Sequence, residues 1–328
     1  KECDSPEAVR SRIKSMAKQN VPRALVSLIA GASDATLEHI VMAMMRMAGE
    51  QIVRGAMIQQ GCLSACIKLI KNGDLSETEK KIMQYAEHTI SKILVTTNPS
   101  LLTTSQCMGS IQPLIKLVKD NESSDLQKFE ALLSLTNLAS YNDSTKQHMV
   151  SEKGIRVLSV AMFSGHELVR RAATEAMSNL VPHPDMIDYL RKKDNLKVWV
   201  AFAADYEDNF ECARAALGCL AMVTQDPEIA STFIKQGNLS EKLLKSVLEL
   251  GNLELMHRAL ILTLNLIEHG GKCKELVMTT GTLAFCEAYA TTYQNGGKSM
   301  DLEFSEADQK LMGITVSLSQ DIVQACSR

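Results

Sequence analysis

Apolar residues in this 328-residue chain recur at intervals of three and four, in two alternating kinds of segment. One kind is short and opens on a small or turn-forming residue. Its examples are QNVPRALVSLI near Asn20, QGCLSACIKLI at Gly61, MGSIQPLIKLV at Gly109 and KGIRVLSVAMF at Gly154, then KDNLKVWVAFA near Asp194, QGNLSEKLLKSV at Gly237 and TGTLAFCEAYA at Gly281. These markers advance by 41, 48, 45, 40, 43 and 44 residues. The other kind is longer, as in LQKFEALLSLTNLAS and HELVRRAATEAMSNLV, and carries the endings LTNLA, MSNLV, LAMV and TLNLI. Those endings, at Asn137, Asn179, Ala221 and Asn265, step by 42, 42 and 44.

Two independent markers with one period of forty-odd residues point to an armadillo or HEAT array. The pattern predicts an all-α protein, a right-handed α-solenoid of armadillo-like repeats at about 20–50, 61–97, 109–141, 154–182, 195–225, 237–270 and 281–328, read as a single domain over 1–328. No stretch alternates with period two, so no sheet is expected. Glycine at the head of the short helices suits a sharp turn with positive φ. Pro99, Pro182, Pro184 and Pro227 fall just after long segments, where a helix must stop. Asn295–Glu306, NGGKSMDLEFSE, interrupts the last unit and reads as a loop.

Composition narrows the function. With 35 basic against 38 acidic residues the net charge is −3, so the chain offers no general field for nucleic acid. The longest apolar runs, such as Val198–Ala204, fall far short of the roughly 20 residues that span a bilayer, and the opening KECDSPEAVR is charged rather than signal-like. A cytoplasmic protein with no membrane contact is expected. Nine cysteines without framework spacing favour reduced, buried thiols, and Cys62 with Cys66 lacks the second pair a zinc site needs.

No catalytic template fits, and neither cofactor nor metal is expected. HExxH, GxSxG and GxGxxG are absent, and the seven histidines are dispersed. GGKS at Gly296–Ser299 resembles the end of a phosphate loop, but Thr292 stands where its first glycine belongs. The chain reads as a binding protein, not an enzyme.

In an armadillo unit the long helix lines the concave face, which places Asn137, Asn179 and Asn265 at matching positions. Two readings stand side by side: a ladder that grips a peptide backbone, or side chains that satisfy neighbouring helix ends inside the stack. Arg170, Arg171, Arg214 and His257 with Arg258 form either a basic strip for an acidic partner or exposed charges paired with Glu167, Glu175 or Glu211. Met42, Met44, Met45 and Met47 read as pliable core filler before binding surface. Import adaptors of this period pair Trp with Asn one helical turn later. Here Leu133, Glu175 and Ile261 precede the three asparagines, and the lone Trp199 lies in a short segment.

The words QKFEALLSLTNLAS at Gln127–Ser140, SKILVTTNPSLL at Ser91–Leu102, IQPLIKLV at Ile111–Val118, HELVRRAATEAMSNLV and ARAALGCLAMVT stand in an order that resembles the UCS-domain family of myosin chaperones. The resemblance runs from about residue 85 to 270. It implies a co-chaperone that binds the myosin motor domain in its concave groove, assists its folding or assembly and consumes no ATP. It carries the groove role to Phe129, Asn137 and Asn179, while Arg171 and Asn265 join them by repeat geometry alone. The resemblance also implies Hsp90 as a partner through a tetratricopeptide domain, whose 34-residue signature is absent from this chain. The alternative is a general armadillo adaptor or scaffold.

Overall fold

The computed structural model describes residues 5–71, 73–181, 183–294 and 305–327, among which there are helices and no strand. Cys3, Pro182 and the GGKS motif lie outside the described residues. The chain forms two compact units, one ending at Leu180 and the other beginning at Val181. The first holds α1 (Pro6–Lys18), α2 (Val21–Leu28), α3 (Asp34–Ala48), α4 (Gln51–Gln59), α5 (Cys62–Leu69), α6 (Glu77–Leu94), α7 (Thr104–Lys119), α8 (Asp125–Ala139), α9 (Asp143–Ser151), α10 (Gly154–Ala161) and α11 (Glu167–Asn179). The second holds α12 (Pro184–Arg191), α13 (Lys193–Ala204), α14 (Phe210–Val223), α15 (Pro227–Ile234), α16 (Asn238–Glu249), α17 (Leu253–His269), α18 (Gly271–Thr279), α19 (Thr282–Gln294) and α20 (Glu306–Ser327).

Local chemistry sets the helix starts. Ser76, Thr103 and Ser124 close capping boxes with Glu79, Gln106 and Gln127, satisfying amides that the first turn leaves without partners. The prolines read as stops work as starts: Pro184 and Pro227 open α12 and α15, and Pro99 opens a 3₁₀ turn. The first helical position loses nothing by lacking an N–H.

The long helices stack in sequence order, α3 on α6, α6 on α8 and α8 on α11 in the first unit, α14 on α17 and α17 on α20 in the second. Ile90, Ile93, Leu132, Leu135, Ala172 and Ala176, one turn apart on successive helices, are fully buried between them. The all-α solenoid is therefore built as its periodicity predicts. The period reappears as hydrogen bonds between successive repeats: Gln60 donates to the Ala17 carbonyl, Ser134 to that of Ser91 and Gln236 to that of Lys193, each 43 residues earlier. Met44 and Met47 are core; Met42 and Met45 are half-buried.

The junctions are left-handed at Gly61 (φ 89°) and Gly237 (φ 58°), as the marker glycines suggest. Two markers behave differently. Gly109 opens no helix; it lies inside the continuous α7, where a Cβ would stand 2.7 Å from Ile67 Cγ2 of α5. At Gly154 the left-handed residue is the preceding Lys153 (φ 64°), and a Cβ on the glycine would meet the Met149 carbonyl oxygen at 2.6 Å. Both glycines are there for close approach. A backbone oxygen yields less readily than a side-chain methyl, so Gly154→Ala should cost about 2–3 kcal/mol. Gly109→Ala should cost about 1, helped by alanine's better helix propensity. Urea midpoints of the two variants test this, and the reverse order would contradict the packing account.

Candidate functional site

The long-helix layer carries the residues singled out in the sequence, and most of their polar atoms are engaged within it. Asn137 on α8 donates its amide to the carbonyls of Leu94 (3.3 Å) and Val95 (3.1 Å), where α6 ends. Asn179 at the end of α11 donates to the Thr136 carbonyl at 3.1 Å. Both side chains are half-buried, and nothing among the described residues reaches their Oδ1 atoms, so each keeps one acceptor for an outside partner. Asn265 on α17 is different. It is 6% exposed and donates to the Ala221 carbonyl (2.8 Å) and Thr224 Oγ1 (3.1 Å). Its assignment to the client-facing groove is corrected: it is an internal tie, as the second reading of the ladder held.

Phe129 is half-buried on α8, and Arg171, half-buried on α11, pairs with Glu175 one turn on at 3.3 Å. In the second unit Arg214 pairs with Glu211 at 2.9 Å, and Arg258 donates to the Arg214 carbonyl at 2.9 Å. Arg171 and Arg214 are paired within their own helices and Arg258 is tied to the neighbouring one, which favours internal pairing over a free basic strip.

A denser polar cluster was not foreseen. Glu130 of α8 accepts from Lys92 at 2.9 Å and meets His88 Nε2 at 3.1 Å, both on α6. All three side chains are only 14–17% exposed. Burial works to raise the Glu130 carboxyl, but the bonds from His88 and Lys92 outweigh it and hold the group below the ordinary carboxylate range. Nearby, Glu87 is 3% exposed and takes a 2.7 Å bond from Lys116 of α7. There burial wins, and the carboxyl is raised despite its partner. Dispersed histidines hid this cluster, yet its signal was present: His88 and Glu130 stand 42 residues apart, one repeat period. Met45, Tyr85, His88, Leu117 and Gln127 line a hollow of about 340 Å³ beside it.

Eight described cysteines are free, seven of them buried, and burial pushes the thiols of Cys62, Cys66 and Cys286 up to about 12, where they are poor nucleophiles. Among the described residues no three His, Cys, Asp or Glu gather as a metal-holding set, and no helix is long and apolar enough to cross a membrane. What the layer offers is a surface: half-buried aromatic and polar side chains set on a rigid, internally bonded frame.

Comparison with known proteins follows the same line. No family model matches the chain. It is 28% identical over 273 residues to protein unc-45 homolog B of Xenopus tropicalis, covering 80% of this chain and 29% of that protein. Against the Danio rerio protein of the same name it is 27% identical over 314 residues, 93% of this chain and 32% of that one. The chain thus spans less than a third of the curated relatives it matches. In fold it is similar to UNC-45 from Drosophila melanogaster, with a TM-score of 0.83 at 22% identity, over 100% of this chain and 39% of that one. The C. elegans protein, described as a myosin chaperone and solved with an Hsp90 peptide, gives 0.78 at 22% identity over 96% of this chain and 33% of its own. Over most of its length the chain is similar in sequence to the unc-45 homolog B proteins, and in its solenoid fold to UNC-45, in keeping with its resemblance to the UCS-domain family of myosin chaperones.

Proposed function

We infer that this chain is the client-holding part of a myosin chaperone: it binds the myosin motor domain along the groove lined by its long helices and assists folding or assembly without chemistry of its own. The observation that carries this reading is the similarity to unc-45 homolog B over 80–93% of the chain. The site supports it in kind. Phe129 and the Oδ1 atoms of Asn137 and Asn179 lie on α8 and α11, where the amides of both asparagines are already bonded to the preceding repeat, so little ordering is lost when a client docks. Hsp90 contact is assigned to a tetratricopeptide module rather than to these helices.

The test mixes the purified chain with myosin motor domain and measures binding together with heat-induced light scattering. Stoichiometric binding and suppressed aggregation are expected, and neither occurring would sink the proposal. Phe129→Ala should weaken binding by about tenfold, as for a buried aromatic anchor, with an unchanged circular dichroism spectrum. Unchanged affinity would move the contact away from α8.

A further inference from the structure

A second surface of the first unit is built for a partner of definite chemistry. The end of α7, the first turns of α8, α10 and the start of α11 enclose a cleft of about 570 Å³. Its apolar lining includes Val118 and Val169, both buried, and Val160 and Phe163, which are 71% and 64% exposed. Large apolar side chains left this open beside a concavity mark a contact surface rather than a spare patch of core.

Charge decides what the surface takes. Lys119, Lys128, Lys153 and Arg156 also line the cleft, and no carboxylate does. Asp120, Glu122 and Glu152 line neighbouring hollows instead. None of the four cations has a hydrogen-bonding or ionic partner among the described residues, unlike Lys92, Lys116, Arg171 and Arg214 in the long-helix layer. Lys153 owes its place to the strained left-handed turn before Gly154, which sets it at the head of α10. Four unneutralised cations around an apolar floor complement a segment that brings carboxylates and apolar anchors together.

We propose that this cleft is a docking site for a short acidic peptide segment carrying apolar anchors, with the anchors seated on Val160 and Phe163 and the carboxylates on Lys119, Lys128, Lys153 and Arg156. A bilayer is the poorer match, because a concavity of side-chain size admits individual anchors and not a plane of headgroups. The site is separate from the myosin reading, and its test contains no myosin.

The experiment titrates the 328-residue chain into three fluorescein-labelled 15-residue peptides and reads anisotropy. The first carries Glu with Leu and Phe anchors, the second has Lys for every Glu, and the third has Ala for every anchor. Only the first should bind, with affinity falling as salt rises. The double variant Lys153→Glu/Arg156→Glu should weaken it at least ~10-fold by placing like charges together, and Val160→Ser by about fivefold through lost apolar contact. Both substitutions are at exposed positions, so melting temperatures should match wild type and keep the readout clean. Equal binding of the Lys peptide, no binding of the Glu peptide, or binding indifferent to both variants would overturn the proposal. So would phosphatidylserine vesicles that bind through Lys153 and Arg156 while the peptide fails to compete, or self-association of the chain abolished by Val160→Ser.

Discussion

Trp199→Ala should lower the unfolding free energy by about 4 kcal/mol, because a fully enclosed indole leaves a cavity that its surroundings cannot close. Trp199 has no exposed surface, and its helix α13 lies against α14, α15 and α16. One atom goes against the packing. The indole Nε1 is buried with no hydrogen-bond partner, which costs roughly 1–3 kcal/mol. Trp199→Phe gives up part of the apolar contact but also deletes that N–H, so its loss should stay below about 1.5 kcal/mol. The measurement is urea unfolding followed by circular dichroism, since each variant removes the only tryptophan. A Trp199→Phe loss well above about 1.5 kcal/mol would refute the orphan N–H as a source of strain.

The second large effect is at the ion cluster, where the half-buried Glu130 and the buried Glu87 should respond to neutralisation in opposite ways. Glu130→Gln leaves Lys92 and His88 without their anion in a site barely open to water, and should cost about 2–3 kcal/mol at neutral pH. The folded Glu130 holds its proton less tightly than the unfolded one. Its contribution is therefore present above the ordinary carboxylate value of 4.5 and is lost as pH falls through the depressed folded value. Wild type and variant should converge in acid. Glu87 has the opposite sign. Its folded pKa is raised, so stability declines as pH rises from 4.5 through that higher value. Glu87→Gln removes this decline, and Lys116, nearly half exposed, can turn to water. The change at neutral pH should lie within about 1 kcal/mol. Stability profiles from pH 3 to pH 8 distinguish the two. A Glu87→Gln loss as large as that of Glu130→Gln would show that the Lys116 pair stabilises after all.

The repeat architecture was legible because a 3.6-residue apolar rhythm and a forty-residue period are each local signals, and in this chain they agree. Individual roles were harder to read. A glycine that permits a turn and a glycine that admits a neighbour look alike in sequence, so Gly109 passed for a helix start while its reason lies 42 residues earlier at Ile67. Asn137, Asn179 and Asn265 share a register, but only packing decides that the third is sealed in. His88 passed for an isolated ring because its partner belongs to the next repeat.

One set of ties between repeats, from side chains to backbone carbonyls, shares a direction. In the first unit Gln60, Ser134, Asn137 and Asn179 reach back to carbonyls of an earlier repeat, and in the second Gln236, Arg258, Asn265 and His269 do the same. In these ties the later repeat bears the donor and the earlier one the carbonyl, whereas the bond from Lys92 to Glu130 runs the other way. Until the later repeat folds, those carbonyls can be served by water, and an under-satisfied carbonyl is better tolerated than an orphaned N–H. For these ties, within each unit, growth from the amino end is thus the benign order of assembly. For these ties trimming works in reverse: removing the later repeat uncovers an acceptor, whereas removing the earlier one strands a donor in the interior.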